Sequence, residues 1–181
     1  PNLAAALETM EGATGTTYSV AWIDCLSRGP ALGRSLVLLG EHAGLAELGP
    51  VERAARWGRV RPGRRVPFDA PPGLLNGMTV RAFNALYWRQ GLRAAGSRLV
   101  DWDSYFYPLD AIGDWNRIYG PRGFAQYQCV LPLAEAAAGL RRLLDAISTA
   151  GRGSFLAVLK RLGPERGRFS FPMEGWTLAL D

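Results

Sequence analysis

Residues 124–151 read FAQYQCVLPLAEAAAGLRRLLDAISTAG, and the switch of period inside them decides the fold. Residues 124–130, FAQYQCV, alternate in the manner of a β-strand. A strand sends successive side chains to opposite sides. Phe124, Gln126, Gln128 and Val130 therefore share one face, and Ala125, Tyr127, Cys129 and Leu131 share the other. From Pro132 the period changes to that of a helix, with Leu133, Ala137, Leu140, Leu144 and Ile147 on one stripe. Gly151 is the residue type that ends a helix in the left-handed region. The strand carries two amides side by side between apolar neighbours, which calls for hydrogen-bond partners.

The pattern continues on both sides. Downstream, SFLAVLK (154–160) and WTLAL (176–180) read as strands around a loop, RLGPERGRFSFPMEG. Upstream, Asn2 is a good cap for LAAALETMEG, and Gly12 ends that helix. TTYSVAWID and RSLVLLGEHA read as strands joined by a Gly-Pro turn segment. MTVRAFNALYWRQGLRAAG is helical, with Val80, Phe83, Leu86 and Tyr87 at helical spacing. RLVDWDSYFYPLD (98–110) reads as extended, and AIGDWNRIYGPRG as a turn or short helix. The order predicts an α+β domain, a mostly antiparallel sheet with helices packed on one face. Residues 44–77, rich in Gly, Pro and Arg, are expected to form an irregular, mobile loop.

The 181 residues are 48% hydrophobic, enough for a core. No apolar run reaches the roughly 18–20 residues of a membrane span, and no signal-peptide pattern is present. The start at Pro1 and the stop at Asp181 after WTLAL are read as the ends of a domain cut from a longer chain. Cys25 and Cys129 are expected to be free thiols rather than a disulfide framework. A single histidine, His42, argues against His-based metal sites and triads. The net charge of +5 comes from 20 Arg and one Lys, Lys160. Six arginines fall between Arg53 and Arg65. They suit a solvated basic loop, phosphate or an acidic lipid surface. Without regular aromatic interleaving no nucleic-acid partner is expected.

Several features stand apart from the core pattern. Gln126 and Gln128 suit either a buried amide network or a polar ligand. Lys160 ends an apolar strand, where it either reaches solvent or enters a pocket. Residues 105–121 gather Tyr105, Phe106, Tyr107, Trp115 and Tyr119 with Asn116 and Arg117. Aromatic faces with a few polar groups suit a sugar or flat ring, or an ordinary core corner. Trp22 reads as core by spacing. No GxGxxG, GxxxxGK[ST], GxSxG or metal-ligand cluster occurs, so no phosphate-cradling loop of its own is expected.

YSVAWID, YPLDAIGDWNRIYGPRGFAQYQCVLP, SFLAVLKRLGP and FSFPMEGWTLALD together resemble, in order and spacing, one known domain type. It is the substrate (cap) domain of decaprenylphosphoryl-ribose-oxidase-like, FAD-dependent oxidoreductases, within the vanillyl-alcohol-oxidase type of flavoproteins. The resemblance covers nearly the whole chain and is weakest over 44–77. It implies that residues 1–181 form a single substrate-binding (cap) domain. FAD would be held mainly by another domain of the same protein and be absent from this fragment, which alone would be inactive. It implies oxidation of a secondary hydroxyl of a sugar or sugar-phospholipid by hydride transfer to flavin. The expected setting is the bacterial cytoplasm, with contact to the inner-membrane surface. By resemblance, Gln126 and Gln128 lie by flavin and substrate, and Lys160 lines the substrate pocket. Trp22, Tyr105, Leu109 and Arg117 fall at pocket-wall positions. Thr177 and Ala179 stand where the family has Asn and Cys, so a reshaped pocket is expected. The competing reading is a standalone α+β binding module that contacts acidic lipid through its Arg-rich loop.

Overall fold

The computed structural model describes residues 2–50, 63–164, 167, 171 and 173–181. They form two compact units. The first comprises Pro1–Glu41, Asn76–Ala94 and Ala125–Asp181, and the second His42–Leu75 and Ala95–Phe124.

The first unit is built on strands β1 (Tyr18–Ile23), β2 (Ser35–Gly40), β5 (Tyr127–Pro132), β6 (Ala157–Leu162) and β7 (Gly175–Leu180). They form one sheet in the order β2-β1-β6-β7-β5, with every neighbouring pair antiparallel. Helices α1 (Leu3–Gly12) and α4 (Leu133–Ala150) cover one face. The core lies beneath them: Ala21 and Ile23, Leu159, Trp176 and Leu178, against Leu3, Leu7 and Met10 of α1 and Leu140 and Leu144 of α4. Fully burying each Leu, Ile or Met among them contributes about 1.5–3 kcal/mol.

Local chemistry fixes the helix ends. The Asn2 side chain accepts from the Ala5 N–H at 3.1 Å, the cap that its position predicts. Gly151 caps α4 with φ 67° in the left-handed region. Gly33 is required for a second reason besides its φ of 64°. A Cβ there would lie 2.9 Å from the Leu3 Cβ and 3.0 Å from the Leu144 Cδ1, so any side chain would separate α1 and α4 from the sheet.

The α+β class and the antiparallel sheet are as expected, with α1 and α4 on one face. Helix α2 (Gly77–Arg93) lies instead against the opposite face, at the β1–β2 end. Its buried positions are Val80 and Asn84, followed one turn on by half-buried Trp88. Asn84 hides this stripe in the sequence. Phe83 and Tyr87, on the predicted apolar stripe, are instead about two-fifths exposed and engage rings: Tyr87 lies 4.8 Å from Trp22, and Phe83 5.4 Å from Phe155.

In the second unit α3 (Trp102–Phe106) replaces the extended run expected over 98–110. Asp101 caps it by accepting from the Ser104 N–H at 2.9 Å, and Pro108 follows its end. Two short strands, β3 (Arg64–Arg65) and β4 (Ile112–Gly113), pair in parallel. A 3₁₀ turn over Trp115–Tyr119 fits the expected turn or short helix. The expected loop over 44–77 contains β3 and a 3₁₀ turn at Leu45–Glu47, while residues 51–62 lie outside the described residues. Strand β5 begins at Tyr127, not Phe124. Phe124 stacks on Tyr119 at 4.3 Å, after glycines 120 and 123 with positive φ, so the chain turns before it can pair.

Both cysteines are free. Cys25 is buried beside the Ser154 carbonyl, at 3.2 Å. Burial, aided by the nearby Asp24 carboxylate, pushes its thiol up to about 11. At mildly alkaline pH Cys25 is therefore protonated and poorly nucleophilic. A disulfide exchange reagent is expected to leave Cys25 of the native chain unmodified and to label it only after denaturation. Mapping the label by peptide mass checks this, and fast native labelling of Cys25 would contradict its burial.

Candidate functional site

The antiparallel register places residues of β1, β6, β7 and β5 side by side. Trp22 pairs with Val158, Val158 with Ala179, and Ala179 with Gln128. Two residues along the strands, Lys160 pairs with Thr177 and Thr177 with Val130. Because side chains alternate with period 2, these two rows share one face. It is the face opposite α1 and α4. The sheet thus collects Trp22, Gln128, Lys160, Thr177 and Ala179 on a face whose Trp22 end packs against Tyr87 of α2.

Each residue is held differently. Trp22 is 6% exposed and donates from Nε1 to the Phe155 carbonyl at 2.9 Å. It is buried as expected, but under α2 rather than in the layer beneath α1 and α4. Thr177 is 2% exposed and accepts from Gln128 Nε2 at 2.9 Å. Gln128 and Lys160 are exposed. Gln126 lies one residue before β5 and donates from Nε2 to Asp181 Oδ1 at 3.0 Å. The amides are thus neither a core network nor unpartnered: each is tied to β7 or the residue after it, on the side of the sheet opposite α1 and α4. The opposite side of β5, Cys129 and Leu131, packs against the core. A half-covered edge strand therefore answers how apolar neighbours and amides coexist.

Tyr105, Leu109 and Arg117 belong to the second unit. Arg117 donates from Nη1 to the Pro67 carbonyl at 2.9 Å and lies 3.7 Å from Asp69 Oδ1. Its own carbonyl accepts from the Ala70 N–H at 2.8 Å. It acts as a brace between residues 67–70 and the 3₁₀ turn. Tyr105 meets Phe106 edge-on at 5.0 Å, and Leu109 is half-buried. This unit also contains a cleft of about 400 Å³ lined by Pro71, Pro72, Leu75, Ile118, Tyr119 and Arg122. Of the arginine run, Arg64 and Arg65 are exposed, Arg65 pairs with Asp114 at 3.0 Å, and the remainder lies outside the described residues.

Two groups escaped the sequence reading. Asp181 faces Gln126 only because of the β5–β7 register, which no local pattern reveals. Asp24, 3% exposed, accepts from Arg34 Nη2 at 2.7 Å, Arg34 Nε at 3.1 Å, the Leu26 N–H at 3.1 Å and Asn84 Nδ2 at 2.8 Å. The Arg34 guanidinium lies 4.7 Å from the Trp88 ring centre. This cluster ties α2 to the β1–β2 hairpin.

Among the described residues no helix is long and apolar enough to cross a membrane. No family model matches the chain. It is 34% identical over 167 residues to decaprenylphosphoryl-β-D-ribose oxidase of Mycolicibacterium smegmatis, a match that covers 91% of this chain and 36% of that protein. It is 30% identical over 172 residues to the "Uncharacterized protein in mprA 5'region" of Streptomyces coelicolor, covering 91% of this chain and 46% of that protein. The chain thus spans less than half the length of either relative. The match to the oxidase takes in nearly all of the chain, as the motif resemblance implied. The chain is therefore similar, over nearly all of its own length, to one part of decaprenylphosphoryl-β-D-ribose oxidase.

Proposed function

We propose that this chain is the substrate-binding (cap) part of an FAD-dependent oxidoreductase that oxidises a secondary hydroxyl of a sugar or sugar-phospholipid. The observation that carries this reading is the sheet face opposite α1 and α4, on which Trp22, Gln128, Lys160, Thr177 and Ala179 align in two adjacent rows. Gln126 and Gln128 carry amide carbonyls suited to hydroxyl or ring N–H donors, and Lys160 offers an ammonium donor one strand beyond β7. Apolar walls with a few placed polar groups suit a sugar against a flat ring.

The residues present fit one side of a flavin site. Gln126 and Gln128 would meet the ring system, while its phosphates would be held elsewhere, because the sequence has no phosphate-cradling loop. When bound, the flavin supplies a hydride acceptor. This chain's part is to bind and orient the substrate and to keep water from the reacting carbon. The partners on this reading are the protein's own FAD-binding domain and a small or lipid-linked sugar. The Asn-to-Thr and Cys-to-Ala differences at 177 and 179 would widen the pocket and change which sugar fits.

The test uses the full-length protein. It is expected to purify with the visible absorption of bound flavin and to reduce a dye acceptor when given a sugar alcohol substrate. The 181-residue chain alone is expected to lose added FAD on dialysis. A colourless full-length protein without such activity would overturn the reading.

A further inference from the structure

Both site amides are oriented by residues that no sequence motif assigned to that task. Gln126 Nε2 donates to Asp181 Oδ1 at 3.0 Å. A carboxylate only accepts, so the Gln126 amide must turn its nitrogen to Asp181 and its carbonyl oxygen away. Continuing the β5–β7 register by one residue sets Gln126 opposite Asp181, so this is a cross-strand pair. Gln128 Nε2 donates to Thr177 Oγ1 at 2.9 Å, a diagonal pair. Its direct partner is Ala179, whose methyl group leaves room for the long amide to lean across. Thr177 is 2% exposed, and its hydroxyl oxygen is the acceptor for this amide.

We propose that Asp181 and Thr177 are positioning residues that lock Gln126 and Gln128 with their carbonyl oxygens free, making a paired-acceptor site for a ligand with adjacent hydroxyls. The inference rests on the substrate-binding reading above. The two amides stand two residues apart on one strand face, about 6.7 Å at the backbone, close enough for both to reach one ligand. Lys160 lies two strand spacings across, about 9.5 Å, and supplies the only side-chain donor in these two rows that carries a charge. The site therefore selects a ligand that donates at one end and accepts at the other: a polyol with a carbonyl, ether or anionic oxygen beyond its hydroxyl pair. Ligands that carry only acceptors at the amide end would face two carbonyl oxygens and be rejected.

Four variants of the full-length protein test this, by steady-state kinetics and by NMR with glutamine side chains labelled with nitrogen-15. Asp181→Asn lets the Gln126 amide adopt either orientation. Thr177→Val keeps the shape but removes the acceptor for Gln128. Each is expected to raise KM for a polyol substrate about five- to tenfold, with kcat within about twofold, the pattern of lost uniform binding. The Gln126 or Gln128 side-chain NH₂ signals should shift to solvent-like positions. Thr177→Ser and Asp181→Glu restore acceptors and should return KM and the signals toward the wild type. Melting temperatures separate misfolding from misorientation. Equal KM for Thr177→Val and Thr177→Ser, or unchanged amide signals in Asp181→Asn, would overturn the proposal. A full-length protein without flavin or alcohol oxidation would sink the functional reading instead, and the NMR signals would still decide the amide orientation.

Discussion

Asp24→Ala is expected to remove about 3–5 kcal/mol of folding stability, lowering the melting temperature by roughly 10 °C or more. Asp24 is 3% exposed and is the common acceptor for Arg34, the Leu26 N–H and Asn84. Its removal leaves the Arg34 guanidinium, about a quarter exposed, without a counter-charge, and the fully buried Asn84 without an acceptor for Nδ2. An unpaired buried charge or amide costs far more than a surface ion pair contributes. Calorimetry of wild type, Asp24→Ala, Asn84→Ala and the double variant checks this. The cycle should show coupling above about 1 kcal/mol, because the two residues share one network. Since Asn84 anchors α2, and Tyr87 of α2 packs on Trp22, the loss should also raise the exposure of Trp22 to fluorescence quenchers. A melting temperature within about 2 °C of wild type would show that the network is dispensable.

This cluster also marks where sequence reading stops. The strand and helix periods were plain because apolar spacing reports the core face directly: β1, β2, β7, α1 and α4 fall where the pattern sets them. Strand β6, read over 154–160, runs instead from Ala157 past Lys160 to Leu162. Asn84 broke the apolar stripe of α2, so the buried side of that helix was misread. Among the described residues the Asn84 Nδ2 donates to Asp24, sixty positions away. The aromatic run at 101–107 looked extended because Tyr, Phe and Trp favour strands. The Asp101 cap, which accepts from both the N–H and the hydroxyl of Ser104, turned it into a helix. The site shows the same division. Gln128, Lys160, Thr177 and Ala179 stand out in the motifs, and the register aligns them with Trp22. Their neighbour Asp181 was illegible, because pairing two distant strands is a tertiary property. Tyr105, Leu109 and Arg117, joined to the others by resemblance, belong to a different compact unit.

On the proposed function, Gln128→Ala in the full-length protein is expected to cut kcat/KM on the order of a hundredfold, while the melting temperature falls by no more than about 4 °C. The asymmetry follows from where the amide sits. In the folded chain it is exposed and makes one described hydrogen bond, to Thr177 Oγ1. Losing such a bond costs about 1 kcal/mol, or about 2–4 °C for a protein of this size. The Thr177 hydroxyl can also turn to a water in the space vacated. In a closed site, from which water is excluded, the same amide carbonyl would accept from the ligand's hydroxyl, and leaving that donor unpaired costs up to about 3 kcal/mol of binding. Asp24→Ala supplies the opposite control, a large loss of stability without loss of a ligand contact. If Gln128→Ala lost stability and turnover in equal measure, the amide would be a structural strut. If it lost neither, this sheet face would not be the substrate wall. A hundredfold loss with the fold intact separates both from the proposed role, and combining Gln128→Ala with Thr177→Val should then add almost nothing, because Thr177 acts through the amide already removed.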